Sequence, residues 1–229
     1  MNIIMTGSTS FVGAATVREL LRRGHTVTAI VRPKSSKLDT ILEGNEEALL
    51  SGRLLVTEND LSEPEKLLEK VTKPRDVFCH FGWGGSGSAS RTDKALQEKN
   101  MEISLETVRT AEALGCKKFL FSGSQAEYGM HQDLITEETV CEPKSLYGEA
   151  KLAMREKGEK LCSELGLRYI HARIFSAYGP GDHPWTLVES CLDAFLDNKE
   201  ISLGACTQNW NFLYIDDLAR GMAALCEAP

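Results

Sequence analysis

NIIMTGSTSFVG, residues 2–13, decides the fold. Residues 2–5 form a short apolar run that reads as a buried strand ending in Thr6-Gly7. Residues 11–24 follow with apolar side chains at Val12, Ala15, Val17, Leu20 and Leu21 and a Gly-His stop, the pattern of a helix. Between strand and helix, Gly7 and Gly13 flank a tight turn. Glycines there let the backbone approach a pyrophosphate, whose charge the helix N-terminus stabilises. A glycine-rich turn alone is also an ordinary strand–helix connection; a strand before it and a helix after it point to a dinucleotide. Ser10 stands where such a turn often has its middle glycine, and it tightens the loop.

Outward from this turn, strand and helix patterns alternate. Thr26–Val31 is β-branched and apolar, and 54–57 is a shorter third strand. An amphipathic helix is expected over 63–71, capped by Ser62, followed by a strand at 76–81 and a loop at 82–90. A long helix at 92–114, a strand at 118–122, a helix at 146–165 and a strand at Arg168–Ile174 complete the series. Alternation of this kind specifies an α/β fold, a doubly wound parallel sheet of the Rossmann kind with right-handed crossovers. After Phe175 the rhythm changes to turn-rich sequence, SAYGPGDHP, then a helix near 185–197, a short strand and a last helix from Asp216. The expected organisation is a dinucleotide-binding domain at 1–174 and a partial substrate-binding lobe at 175–229, packed on the carboxyl edge of the sheet.

Composition narrows the class. The chain has 229 residues, 42% hydrophobic and 26% charged, as ordinary globular proteins do. Its net charge of −7 argues against nucleic acid as a partner, which calls for a basic face. The 7 cysteines are scattered without C-x-x-C or Cys/His grouping, a pattern of reduced thiols with no metal site. MNIIMTG lacks a basic n-region and an h-region, and no apolar run reaches spanning length, so the expectation is a cytoplasmic protein with no membrane partner.

The chemistry is carried by SLYGEAK, residues 145–151, and by Ser124 upstream in FSGSQAEYG. Four residues apart on a helix, Tyr147 and Lys151 share a face. A lysine cation beside a phenol favours the phenolate, and a serine hydroxyl can steady the oxygen whose proton the tyrosine takes. By spacing alone the pair is equally a solvated helix face. At the end of the second strand, where a carboxylate would bind ribose hydroxyls, stands Arg32, followed by Lys34 and Lys37. An arginine there pairs with a 2′-phosphate, which favours NADP over NAD; a solvated basic turn is the alternative. Asp60 and Leu61 after the third strand suit an adenine contact. His80 reads as a core histidine, Glu127-Tyr128 as a possible substrate contact, and the 82–90 loop either as a cover over the nicotinamide or as a plain linker.

The stretches TGSTSFVG, VFCHFGW, NMEISLETVRTAEALGCKKFLFSGSQAEYG, EPKSLYGEAK, RIFSAYGPGDHP and NFLYIDDLARGM occur in one order over nearly the whole chain. In them the chain resembles the extended short-chain dehydrogenase/reductases of the NAD-dependent epimerase/dehydratase family, which mostly modify nucleotide-activated sugars. The resemblance implies a catalytic triad of Ser124, Tyr147 and Lys151. It implies a cofactor site of Gly7, Ser10, Phe11, Val12, Gly13, Arg32, Asp60, Leu61, Phe81, Gly82, Trp83, Asn100, Ser122 and Phe175, together with Tyr147 and Lys151. It implies substrate contacts at Ser124, Gln125, Ser176, His183 and Trp210. Ser176 stands where the family commonly has asparagine, and Trp210-Asn211 where it often has Arg-Asp, which leaves the nucleotide end of the substrate open. Sugar 4,6-dehydratases of the family place Asp-Glu after the catalytic hydroxyl residue; Gln125-Ala126 stand here, which disfavours dehydration.

The resemblance therefore implies an NAD- or NADP-dependent oxidoreductase with a nucleotide-activated sugar as substrate, moving hydride reversibly at a sugar carbon. A 4-epimerase and a 4-ketoreductase both fit. A protein of this fold that binds the dinucleotide as a redox signal without turnover is the alternative from another class, although such proteins typically lose the tyrosine. Family members run on past DDLARGM, so an ending at Pro229 reads as a truncated chain or a short member. A homodimer through the helices at 92–114 and 146–165 is what the family implies.

Overall fold

The computed structural model describes residues 1–85, 87 and 89–229. Its centre is a six-stranded parallel sheet of β1 (Asn2–Thr6), β2 (Thr26–Val31), β3 (Leu54–Glu58), β4 (Val77–His80), β5 (Lys118–Ser124) and β6 (Arg168–Ile174), in the spatial order β3-β2-β1-β4-β5-β6. The strand order reverses between β1 and β4, paired in register from Ile3–Val77 to Thr6–His80. In open α/β sheets ligands bind outside the carboxyl ends of the strands at that reversal.

Side chains alternate along each strand, and the core divides accordingly. Ile3 and Met5 of β1 face one layer, with α1 (Phe11–Arg22) and α8 (Ile215–Glu227). Ile4, Phe78, Phe119 and Phe121 face the other, with α5 (Lys94–Ala113) and α6 (Leu146–Glu164). Phe119 is stacked between Phe78 at 5.6 Å and Tyr169 at 6.3 Å. The doubly wound sheet expected from the sequence is the observed fold.

Two stretches differ from the sequence reading. Over 63–71, Pro64 starts a 3₁₀ turn at Pro64–Lys66, and only Leu67–Lys70 is α-helical (α4). Ser62 does not cap it, because its hydroxyl donates to Asp60 Oδ1 at 2.6 Å. Between β2 and β3 the chain forms two short helices, α2 (Asp39–Leu42) and α3 (Glu46–Leu50), that bury Ile41 and Ala48. Past Ile174 lie a two-stranded parallel ladder of β7 (Ser176–Tyr178) and β8 (Phe212–Tyr214), and α7 (Leu187–Leu196). Within 175–229, α8 turns back to pack in the sheet's own core. Among the described residues, no helix is long and apolar enough to cross a membrane.

Candidate active site

The turn after β1 is built around two close backbone approaches. Gly7 has φ +71°, and a Cβ there would stand 2.6 Å from the Phe81 carbonyl carbon, so the turn can rest on the loop after β4 only as glycine. A Cβ on Gly13 would strike the Gly7 carbonyl oxygen. Ser10 is the N-cap of α1: its backbone N–H donates to Gly7 O at 3.0 Å and its Oγ accepts from Gly13 N at 3.1 Å. The serine therefore closes the turn from within.

Above this turn lies a cavity of about 870 Å³. Gly7, Ser10 and Phe11 from the turn line it, with Arg32 after β2, Asp60 and Leu61 after β3, Phe81, Gly82 and Trp83 after β4, and His183. Arg18, Lys37 and Glu43 line it as well. Hydrogen bonds from Ser62, with Lys99 and Arg32 nearby, hold the Asp60 carboxyl below its ordinary value. A cavity lined by the turn into a helix N-terminus and by residues that follow β2, β3 and β4, with Gly7 where no side chain could stand, fits a dinucleotide.

The cavity wall after β4 is braced from behind. Asn100, buried on α5, accepts from Gly84 N at 3.0 Å and donates to Gly84 O at 2.7 Å. His80 lies between Thr6 Oγ1 at 2.8 Å and Ser104 Oγ at 3.0 Å. Ser104 donates its own proton to Asn100 O, so His80 Nε2 is the donor to Ser104 and Nδ1 accepts from Thr6. Burial pushes this neutral histidine down to about 3. The 82–90 loop, read as a possible cover, includes Ser86 and Ser88, which lie outside the described residues.

A second cavity of about 320 Å³ shares Ser10 and Phe81 with the first. Val12, Ser122, Ser124, Gln125, Tyr147, Lys151, Phe175 and Ser176 line it, so the structure brings the triad together beside the dinucleotide cradle. Ser124 ends β5, and Tyr147 and Lys151 sit in the first turns of α6, whose N-cap Ser145 accepts from Gly148 N. Lys151 is buried; its ammonium donates to Ser122 O at 2.7 Å and faces the rings of Trp83 at 4.0 Å and Phe121 at 4.6 Å. Burial drives it down to about 7, opposed by the charge of Glu127.

Tyr147 meets a different balance from the one the spacing implies. Burial pushes its phenol up; a hydrogen bond with Ser124 and the charge of Arg91, 5.0 Å from the ring centroid, pull it back. Lys151 is 5.7 Å from the same centroid. Arg91 lines this cavity, a role its surroundings in sequence do not signal. Trp210 lines neither cavity: it is exposed and rests against Phe212 at 6.4 Å. His183 stacks on Trp185 at 4.4 Å.

Sequence reasoning also missed the group behind Ser124. Glu127 does not face substrate space; it is fully buried, with Ser124 N–H, His171 and Arg173 all donating to its carboxylate. The signal was present. Tyr169, His171 and Arg173 alternate on one face of β6, the edge strand, and such a row of donors on a half-buried face calls for an acceptor.

Comparison with known proteins agrees with this geometry. The model of the family described as NAD dependent epimerase/dehydratase family matches residues 3–229. An uncharacterized UDP-glucose epimerase of Bacillus subtilis is 28% identical over 100% of this chain and 73% of its own length. The UDP-glucuronic acid 4-epimerase of Bacillus cereus, solved in complex with NAD, superposes with a TM-score of 0.81 at 23% identity, covering 99% of this chain and 73% of that one. A dTDP-glucose 4,6-dehydratase of Streptomyces venezuelae, solved with NAD, has a TM-score of 0.83 at 21% identity, over 99% of this chain and 72% of that one. At these identities the solved structures speak for the fold; their reactions differ from one another.

Proposed function

The chain belongs to the NAD dependent epimerase/dehydratase family, and on that premise we propose that it is a nucleotide-sugar oxidoreductase working by reversible hydride transfer at a sugar carbinol carbon, as a 4-epimerase or a 4-ketoreductase. The observation that carries this reading is the convergence of Ser124, Tyr147 and Lys151 on a cavity that shares Ser10 and Phe81 with the larger one. When bound, the dinucleotide supplies the hydride acceptor and donor. Tyr147 takes the proton of the sugar hydroxyl and later returns it. Ser124 orients the oxygen, and Lys151, with one proton already held by Ser122 O, would offer its remaining donors to the ribose of the dinucleotide.

Gln125 favours these reactions over loss of water. It lines the catalytic cavity directly after Ser124, and the nearest following carboxylate, Glu127, is buried behind the strand and committed to three donors. Elimination needs an acid and a base at that edge. Arg32, Lys37 and Arg18, which line the larger cavity, support a 2′-phosphate, hence NADP. Ser176 and His183, which line the two cavities from residues 175–229, support that stretch as the substrate-facing lobe. A cytoplasmic homodimer joined through α5 and α6 completes the reading.

The test is turnover of UDP-, dTDP- and GDP-sugars with NAD and NADP, followed by sugar NMR. Tyr147→Phe should lower kcat by roughly 10² to 10⁴-fold and leave the thermal shift given by the dinucleotide unchanged. A parent chain that binds the dinucleotide and turns over none of these sugars ends the enzyme reading.

A further inference from the structure

Glu127 lines neither cavity, yet it is the most heavily engaged carboxylate near the triad. Its Oε1 accepts from the Ser124 backbone N–H at 2.7 Å and from His171 Nε2 at 2.9 Å, and its Oε2 accepts from Arg173 Nε at 3.0 Å. In return the Ser124 hydroxyl accepts from Ala126 N at 3.2 Å, a reciprocal cap that fixes the one residue of the triad that lies on a strand end. Gly123 makes room for this: a Cβ there would strike His171 Nε2 and stand 2.7 Å from Glu127 Oε1. Arg173 extends the hold, donating to Tyr128 OH at 2.7 Å, next to the chain that leads round to α6.

Burial alone would raise the Glu127 carboxyl, but the donors from His171, Ser124 and Arg173 outweigh it and keep the group ionised. That charge bears on both reactive groups of α6. It supports the protonated form of Lys151 against burial, and it raises the Tyr147 phenol. The titratable groups facing Glu127 are His171, Arg173 and, through His171, Tyr169 from β6, with Lys151 and Tyr147 from α6 and Tyr128 beside it.

We propose that Glu127 is a positioning residue for the hydride-transfer site, holding Ser124 through its backbone N–H and fixing a buried negative charge beside it with His171 and Arg173. Its role as a positioner of this reaction rests on the proposed function; the effect on the two titrations does not.

The test therefore needs no substrate. In the full chain carrying ¹³C-labelled lysine and tyrosine, with signals assigned through Lys151→Met and Tyr147→Phe, Glu127→Gln should lower the pKa of both Lys151 and Tyr147. It should also move the Ser124 amide proton upfield, as a charge-assisted hydrogen bond becomes a neutral one. Unaltered titrations in a folded E127Q overturn the proposal, whatever its stability, because a merely structural carboxylate would change the unfolding midpoint alone. If E127Q does not fold, the double variant E127V/H171L replaces the charge and its ring donor together by apolar groups and carries the same titrations. Turnover by the parent with unshifted titrations removes the role of Glu127. Shifted titrations in a parent without turnover remove the proposed function and leave the electrostatic role standing.

Discussion

Helices α7 and α8 make the most instructive pair in the molecule. LVESCLDAFL in α7 is the more apolar of the two, yet none of its residues is buried: Phe195 is 63% exposed and Leu196 81%. IDDLARGMAALCE in α8 carries charges at its start and still buries Ile215, Leu218, Ala219, Met222, Ala223 and Cys226 against α1 and the sheet. The difference lies in what each helix finds opposite it. α8 completes the layer that α1 begins, whereas α7 belongs to the stretch that rims the cavities, with Gly181, Asp182 and His183 on the cavity wall just before it. Stability is concentrated in the sheet and α8; the intervening stretch serves the site.

The largest expected effect tests that division directly. Phe119→Ala, at the centre of the stacked aromatic layer, should cost about 3–5 kcal/mol, and Met222→Ala in α8 about 2–5 kcal/mol. Phe195→Ala in α7 should stay within about 0.5 kcal/mol of the parent. Urea unfolding midpoints decide the matter, and a costly Phe195→Ala would show that α7 is held by contacts of its own.

Lys151 gives the next effect, because it is a case where the candidate site works against the core. Lys151 has its folded value near 7 against an ordinary 10.5, so the unfolded chain binds the extra proton between those limits. Stability should therefore rise with pH from about 7 to 10.5, with the full penalty present below 7. Lys151→Met should stabilise the protein at pH 7 by roughly 2–4 kcal/mol, and the gap should close as the pH approaches 10. A constant gap across that range would mean that the lysine is not buried in its charged form.

These contrasts also mark what the sequence could tell. The alternation of strands and helices, the turn at 7–13 and the convergence of Ser124, Tyr147 and Lys151 were legible because each is a local pattern whose other readings fall away once the neighbouring strands and helices are placed. The helix expected at 63–71 failed on Pro64 and on a serine that found Asp60 nearer than a backbone amide. Glu127 was read as facing substrate, since nothing next to it in the chain shows that His171 and Arg173 will arrive from β6. Trp210 was placed in the site by position, while the structure leaves it outside both cavities. Long-range polar partnerships depend on which strands become neighbours, and that is settled only once the sheet has formed.

The smallest effect sharpens the assignment of α8 to the sheet by separating packing from charge. Glu227, at the end of α8, accepts from Arg23 at 2.6 Å and from His25 at 2.8 Å, both just past α1. The hydrogen bond from His25, with the pair to Arg23, holds its carboxyl below the ordinary 4.5 against the opposing effect of burial. Its contribution is therefore present above about 4.5 and is lost as the pH falls through the lower folded value. The pair lies near the surface, where solvent screens it, so an Arg23→Ala/Glu227→Gln double-mutant cycle at pH 7 should return only about 0.2–1 kcal/mol of coupling, and less at high salt. At pH 2 the coupling should be gone. If the cycle gives several kcal/mol instead, α8 is held to α1 mainly by charge, and the contrast with α7 would rest on the Arg23–Glu227 ion pair rather than on six buried side chains.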